Sequence, residues 1–226
     1  MAELSQYLND AVFYGIVDTG YVPHEKLPEK CAALAAAGTK IIQLRAKRED
    51  ASARRELALK LLPIFEKPNA PFFVINDDVE LAADICRKIE NAGLHVGQDD
   101  LPVEDARKAI GARRILGLST HSREQAFEAN SKAQTLDYFA VGPVYCTMTK
   151  PGRPAVGLDL VKYAARELRP QIPWFCIGGI NLATAAEVAK SGGERIVAVS
   201  EVLKPDDTAA AVRTLVEKFL AGKAAR

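Results

Sequence analysis

The chain has 226 residues, the size of one ordinary α/β barrel domain and enough to bury a large core without disulfides. Apolar residues make up 48% and charged residues 26%, as in soluble globular proteins. The formal net charge is +1 with Lys and Arg scattered throughout, so there is no electrostatic reason to expect nucleic acid or a membrane surface as partner. Functional positive charge must be local.

Cys31, Cys86, Cys146 and Cys176 form no C-x-x-C pair and no His/Cys cluster of zinc spacing. Three lie in apolar stretches and read as reduced core thiols, whereas Cys146 falls in a polar loop. The segment MAELSQYLND lacks a basic stretch followed by an apolar run and does not read as a signal peptide. No apolar stretch approaches bilayer-spanning length, and the expected compartment is cytoplasmic.

In chain order, short apolar runs alternate with longer amphipathic stretches. Val12–Val17 is the first run, followed by a helical pattern over Pro28–Ala37 that closes at Gly38, a plausible left-handed terminator. Lys40–Arg45 leads to Ala51–Phe65, with Leu57, Leu61, Leu62 and Phe65 at helical spacing. Phe72–Asn76 leads to Val79–Ile89, and Gly93–Gly97 to Val103–Ile110, which opens after Pro102 and closes at Gly111. Ile115–Ser119 leads to Ser122–Ala133, which opens with a Ser-x-x-Gln capping pattern. Asp137–Gly142, Trp174–Gly178 and Arg195–Val199 alternate with Leu158–Leu168, Leu182–Lys190 and Thr208–Leu220. The runs are apolar throughout and bounded by Gly, Pro, Asn or Asp, the marks of strands buried on both faces of a parallel sheet. Eight strand–helix units without a linker predict a single (β/α)8 TIM barrel over residues 1–226, with a doubly wound open sheet as the alternative.

Such barrels carry their active sites at the C-terminal ends of the strands. There the sequence places Gln43, Arg45 and Lys47; Asn76, Asp77 and Asp78; His95 to Asp100; Ser119 and His121; Gly142-Pro143 and the loop to Arg153; Gly178-Gly179; and Val199-Ser200. Arg45, Lys47 and Lys150 beside Asn76, Asp77, Asp99 and Asp100 suit a diphosphate bridged by Mg²⁺, a hard ion held by one or two carboxylates plus phosphate oxygens. Helix caps and surface ion pairs are the plainer reading, and Asp78 and Asp99 fit the cap role. Gly178-Gly179 with Val199-Ser200 suits a monophosphate held by backbone N–H groups and aided by a helix dipole. A Gly-Gly pair alone also fits a tight turn. His95 reads as a hydrogen-bonded barrel residue, His121 as a general base or a cap, and Cys146 as a loop thiol.

The ordered set Gln43-Leu44-Arg45-x-Lys47, Asn76-Asp77-Asp78, His95-Val96-Gly97-Gln98-x-Asp100, Gly117-x-Ser119, Gly142-Pro143-x-x-x-Thr147-x-Thr149-Lys150 and Ile177-Gly178-Gly179-Ile180 resembles the thiamine phosphate synthase family from about Tyr14 to Val202. The resemblance implies a transferase that couples 4-amino-2-methyl-5-hydroxymethylpyrimidine diphosphate with 4-methyl-5-(2-hydroxyethyl)thiazole phosphate. It places Gln43, Arg45, Lys47, Asn76 and Lys150 around the pyrimidine diphosphate, with Ser119 on the diphosphate itself. It implies Mg²⁺ on Asp77 and Asp100. It places Thr147, Thr149, Gly179, Val199 and Ser200 at the thiazole phosphate. Arg45, Lys47 and Lys150 would be the catalytic cations.

An electron-rich aminopyrimidine can expel diphosphate and leave a stabilised carbocation, which the thiazole nitrogen then captures. The protein then needs to stabilise charge and position the two rings, and it needs no nucleophile of its own. Cys146 stands where many members carry Pro, a departure that bears on loop rigidity and not on the Thr and Lys contacts. The partners expected are two small phosphorylated substrates, with no nucleic acid and no membrane; a homodimer is compatible with the sequence. A related thiazole tautomerase, with His as acid/base, and a non-catalytic thiazole-phosphate-binding barrel are the competing readings.

Overall fold

The computed structural model describes residues 2–147 and 154–226. Eight parallel strands, β1 Phe13–Asp18, β2 Ile41–Arg45, β3 Phe72–Asn76, β4 Ala92–Val96, β5 Ile115–Thr120, β6 Tyr138–Val141, β7 Trp174–Ile177 and β8 Ile196–Ala198, follow one another around a closed barrel. The helices are α1 Ala2–Asn9, α2 Leu27–Ala36, α3 Ala51–Phe65, α4 Val79–Lys88, α5 Val103–Ile110, α6 Arg123–Ser131, α7 Gly157–Arg166, α8 Ala185–Lys190, α9 Ser200–Leu203 and α10 Thr208–Ala224. The closed sheet rules out the open doubly wound alternative. No helix among the described residues is long and apolar enough to cross a membrane.

The strand interiors are buried, as their continuous apolar runs require when both faces are covered. Inside the barrel the rings of Tyr14, Tyr138 and Phe175 meet edge to face with centroids 5.5 to 5.7 Å apart. Asn76, His95, Gly117 and Tyr138 stand side by side across β3 to β6. Gly117 makes room for the Tyr138 ring, since a Cβ there would lie 2.1 Å from Tyr138 Cζ.

Most predicted boundaries hold to within one or two residues, and the departures have local causes. Helix α8 starts at Ala185 instead of Leu182, because Asn181 and Thr184 first close a polar turn in which Asn181 Oδ1 accepts the Ala183 N–H at 2.9 Å. Helix α2 starts at Leu27 behind a 3₁₀ turn over His24–Lys26, and α10 runs on to Ala224. Gly38 takes a φ of 82° after α2, the left-handed terminator expected of it. Ser122 accepts the Gln125 N–H at 3.2 Å, while Gln125 reaches back one residue further than a capping box does, to His121 N–H at 2.7 Å.

Helix α1 was not expected. It packs at the end of the barrel opposite the mouth: Leu8 is fully buried, Tyr7 Oη donates to Lys40 O at 3.1 Å, and Arg195, just before β8, donates to Leu8 O and Asn9 O. Cys31, Cys86 and Cys176 are buried free thiols, and Cys146 is exposed.

Gly117→Ala should destabilise the fold by about 3 kcal/mol or more, the upper end of overpacking costs, because the clash is with a ring held on every side. Urea unfolding measures it; a change below about 0.5 kcal/mol, typical of surface substitutions, would show that the Tyr138 layer yields freely.

Candidate active site

A cavity of about 490 Å³ opens at the C-terminal ends of the strands. Its wall receives Gln43, Arg45 and Lys47 from β2 and beyond, Asn76 and Asp77 from β3, and Asp100 after β4. Ser119, Thr147, Gly179, Val199 and Ser200 complete it from the remaining strands. Thr149 and Lys150 lie outside the described residues. Every other residue that the resemblance places at the site lines this cavity.

The charged side is built from paired groups. Arg45 and Asp18 are direct neighbours across β1 and β2, and Arg45 Nη1 donates to Asp18 Oδ2 at 2.7 Å. Asp18 is only 1% exposed, and its other oxygen accepts the Gly20 N–H at 2.8 Å. A buried carboxylate with both oxygens bonded holds the guanidinium at the rim. Lys47 Nζ lies 2.5 Å from Asp77 Oδ2. Asp77 itself has a φ of 62°, a left-handed conformation that is uncommon for a side-chain-bearing residue and is held here by its N–H donating to His95 O at 2.9 Å.

Asp78 turns away from this cluster. It caps α4 by accepting the Leu81 N–H at 3.1 Å and takes Arg54 Nε at 2.7 Å. The cap role expected of Asp99 is corrected: α5 begins only at Val103 behind Pro102, and Asp99 lines the cavity. Asp100 Oδ2 accepts the Gly97 N–H at 2.7 Å. Burial first, and the neighbouring Asp77 charge second, push the Asp100 carboxyl above the usual Asp range despite that bond.

Asp77 and Asp100 bring two carboxylates side by side at this wall. No group of three or more His, Cys, Asp or Glu that could hold a metal occurs among the described residues. Two carboxylates fit a hard ion that takes its remaining oxygens from substrate and water, as Mg²⁺ does.

The floor of the cavity is polar in the middle of an apolar barrel. Gln43 Nε2 donates to Tyr14 Oη at 2.8 Å, Tyr14 Oη lies 2.9 Å from Tyr138 Oη, and His95 bridges Tyr138 Oη at 3.0 Å to Ser119 Oγ at 2.9 Å. His95 is the hydrogen-bonded barrel residue expected, and it also lines the cavity. His121 Nδ1 donates to Gly142 O at 2.5 Å, which ties one ring nitrogen to backbone. On the far wall Gly178 and Gly179 take φ values of 101° and 64°. A Cβ at Gly178 would meet Pro143 at 2.4 Å, and one at Gly179 would meet Tyr145 at 2.6 Å, so both glycines are also required by packing. Helix α9, which begins at Ser200, is a single turn, too short for the helix-dipole support expected there; the backbone N–H groups remain.

Sequence reasoning missed Asp18, Tyr14 and Tyr138. The first carried a signal, a lone acid closing an otherwise apolar strand. The tyrosines carried none, because a buried phenol and a core ring look alike in an apolar run.

A closed (β/α)8 barrel with cations, adjoining acids and a glycine turn around one cavity at its mouth has the features of an enzyme site for phosphorylated small molecules. The family model described as thiamine monophosphate synthase matches residues 13–202. The thiamine-phosphate synthase of Arthrobacter sp. (strain FB24) is 43% identical over 83% of this chain and 85% of its own. That of Acidothermus cellulolyticus is 40% identical over 95% and 97%. The thiamine phosphate pyrophosphorylase structure from Pyrococcus furiosus superposes with a TM-score of 0.73 at 26% identity, covering 95% of this chain and 98% of that one. The chain belongs to the thiamine monophosphate synthase family, a family of transferases.

The raised Asp100 pKa has a consequence for stability. Ionising this group opposes folding at every pH above its raised value, and the cost disappears below the ordinary Asp range. Asp100→Asn is expected to raise the thermal midpoint at neutral pH, by an increment that shrinks to nothing on acidification through the carboxylate range. Thermal unfolding across a pH series checks this; an increment that grows toward acid contradicts it.

Proposed function

We propose that this chain, acting as one barrel domain, joins 4-amino-2-methyl-5-hydroxymethylpyrimidine diphosphate to 4-methyl-5-(2-hydroxyethyl)thiazole phosphate, giving thiamine phosphate and diphosphate. The observation that carries this reading is the meeting of Arg45 and Lys47 with the adjoining Asp77 and Asp100 in one cavity with the Gly178-Gly179 turn. One wall suits a diphosphate and the other a monophosphate, and about 490 Å³ is of the size that holds small-molecule ligands.

In this reading Arg45, Lys47 and, by resemblance, Lys150 neutralise the diphosphate as the C–O bond breaks and charge gathers on the leaving oxygen. Asn76 and Gln43 orient the pyrimidine. Ser119 donates to the diphosphate. Asp77 and Asp100 hold Mg²⁺, which supplies charge neutralisation to the phosphate oxygens when bound. Gly179, Val199 and Ser200, with Thr147 and by resemblance Thr149, hold the thiazole phosphate so that its ring nitrogen faces the cationic carbon. The bond to the diphosphate oxygen breaks first and leaves its electron pair on the diphosphate, and the thiazole nitrogen then closes on the cationic carbon with its own lone pair, so no protein nucleophile is needed. Positioning of the two rings accounts for much of the rate.

The test is formation of thiamine phosphate from the two purified substrates with Mg²⁺. Product should appear, cease on metal removal with EDTA and return when Mg²⁺ is restored. No product under saturating conditions would overturn the reading, and full turnover in metal-free buffer would remove the role given to Asp77 and Asp100.

A further inference from the structure

The polar groups at the mouth continue down into the barrel, where composition alone does not explain them. Tyr14 is 2% exposed and Tyr138 is 0% exposed, and Phe175 packs edge to face against both. Phe175 shows that this layer accepts a ring without a hydroxyl, so filling space does not call for two phenols. A buried hydroxyl costs stability unless it is hydrogen-bonded. Both of these are bonded, in a series that ends at a residue of the site.

Each link can be followed by its proton. The amino group of Gln43 faces Tyr14 and donates to its oxygen at 2.8 Å. A phenol has one proton, and the direction in which Tyr14 gives it across the 2.9 Å contact to Tyr138 Oη continues the series from Gln43. Tyr138 donates in turn to His95 Nδ1 at 3.0 Å. With Nδ1 accepting, a neutral imidazole carries its proton on Nε2, which donates to Ser119 Oγ at 2.9 Å. The Ser119 hydrogen is then turned from His95 toward the cavity that Ser119 lines. In the reverse direction Ser119 would donate to His95, leaving only lone pairs toward the ligand, and Tyr14 would have to accept from both Gln43 and Tyr138 and turn its own proton to the cavity.

We propose that Tyr14 and Tyr138 are positioning residues. The series from Gln43 through Tyr14, Tyr138 and His95 to Ser119 holds His95 as its Nε2–H tautomer and commits the Ser119 hydroxyl to donate to a ligand atom that can only accept. Identifying that atom as a diphosphate oxygen rests on the function proposed above. The tautomer does not, because it belongs to the unliganded chain.

The experiment has two arms. Nitrogen-15 spectra of the unliganded protein at neutral pH report which ring nitrogen of each of its three histidines is protonated, with His24→Gln and His121→Gln used to identify His95. His95 should carry its proton on Nε2, and in Tyr138→Phe its Nδ1 resonance should shift as it loses its donor. In the second arm Tyr138→Phe should lower kcat about tenfold, the loss of one hydrogen bond to an ionised group. KM for the thiazole phosphate should change by less than about twofold, since Ser119 faces the other substrate. The double variant with Ser119→Ala should be no slower than Ser119→Ala alone, as expected of residues acting through one another. Should Tyr138→Phe fail to fold, Tyr14→Phe serves in its place with the same expected non-additivity. A proton on Nδ1 in the native chain, or multiplicative losses in the double variant, overturns the proposal. If no coupling activity exists at all, the first arm still decides the tautomer, so the two failures are distinguishable.

Discussion

Closure of the sheet leaves polar side chains few places to go. Each strand is covered by helices outside and by other strands' side chains inside, so along its length a charged group would be buried without water. Charge can stand at the strand ends, and because all eight strands are parallel those ends share one rim. Arg45, Asp77 and Asp100 come together at one cavity although they follow three different strands. The fold supplies the convergence, and the residues at the rim supply the chemistry.

The two ion pairs at this rim differ in what they can do. Arg45 and Asp18 are largely buried, and Asp18 has both oxygens engaged, so removing either partner would strand a charge. That pair fixes a cation in place. Lys47 is about half exposed in its pair with Asp77, and such pairs contribute roughly 0–1 kcal/mol. Under the proposed function, an arriving diphosphate and its metal would exchange that contact at little cost, with Lys47 turning to the phosphate and Asp77 to the cation. Burial first, and the close approach of Asp77 second, raise the Asp100 pKa, and the proposed cation would offset both.

The barrel was legible because its strands are the simplest kind to read, short apolar runs stopped by Gly, Pro, Asn or Asp. Phe72–Asn76 and Val103–Ile110 were readable to the residue. The site was legible where a polar residue broke the apolar rule at a strand end, as Arg45 and Asp77 do. It was less legible where polar chemistry depends on distant partners. Tyr14 and Tyr138 are separated by 124 positions, and only the closed sheet brings their oxygens together. Asp99 misled because an acid ahead of a helix reads as a cap, whereas Pro102 already occupies that helix's N-cap. Helix α1 was missed because its Tyr7 and Leu8 find their partners at the starts of strands β2, β3 and β8.

The central claim is that the rim of Arg45, Lys47, Asp77 and Asp100 is a metal-dependent diphosphate site. Calorimetric titration of inorganic diphosphate, with and without Mg²⁺, reads this directly and needs no turnover. Binding should require the metal, weaken by at least about tenfold in Asp77→Asn, and weaken similarly in Arg45→Ala, as loss of a charge-assisted contact implies. Diphosphate binding that is equally tight without Mg²⁺ and unchanged in both variants would contradict the account.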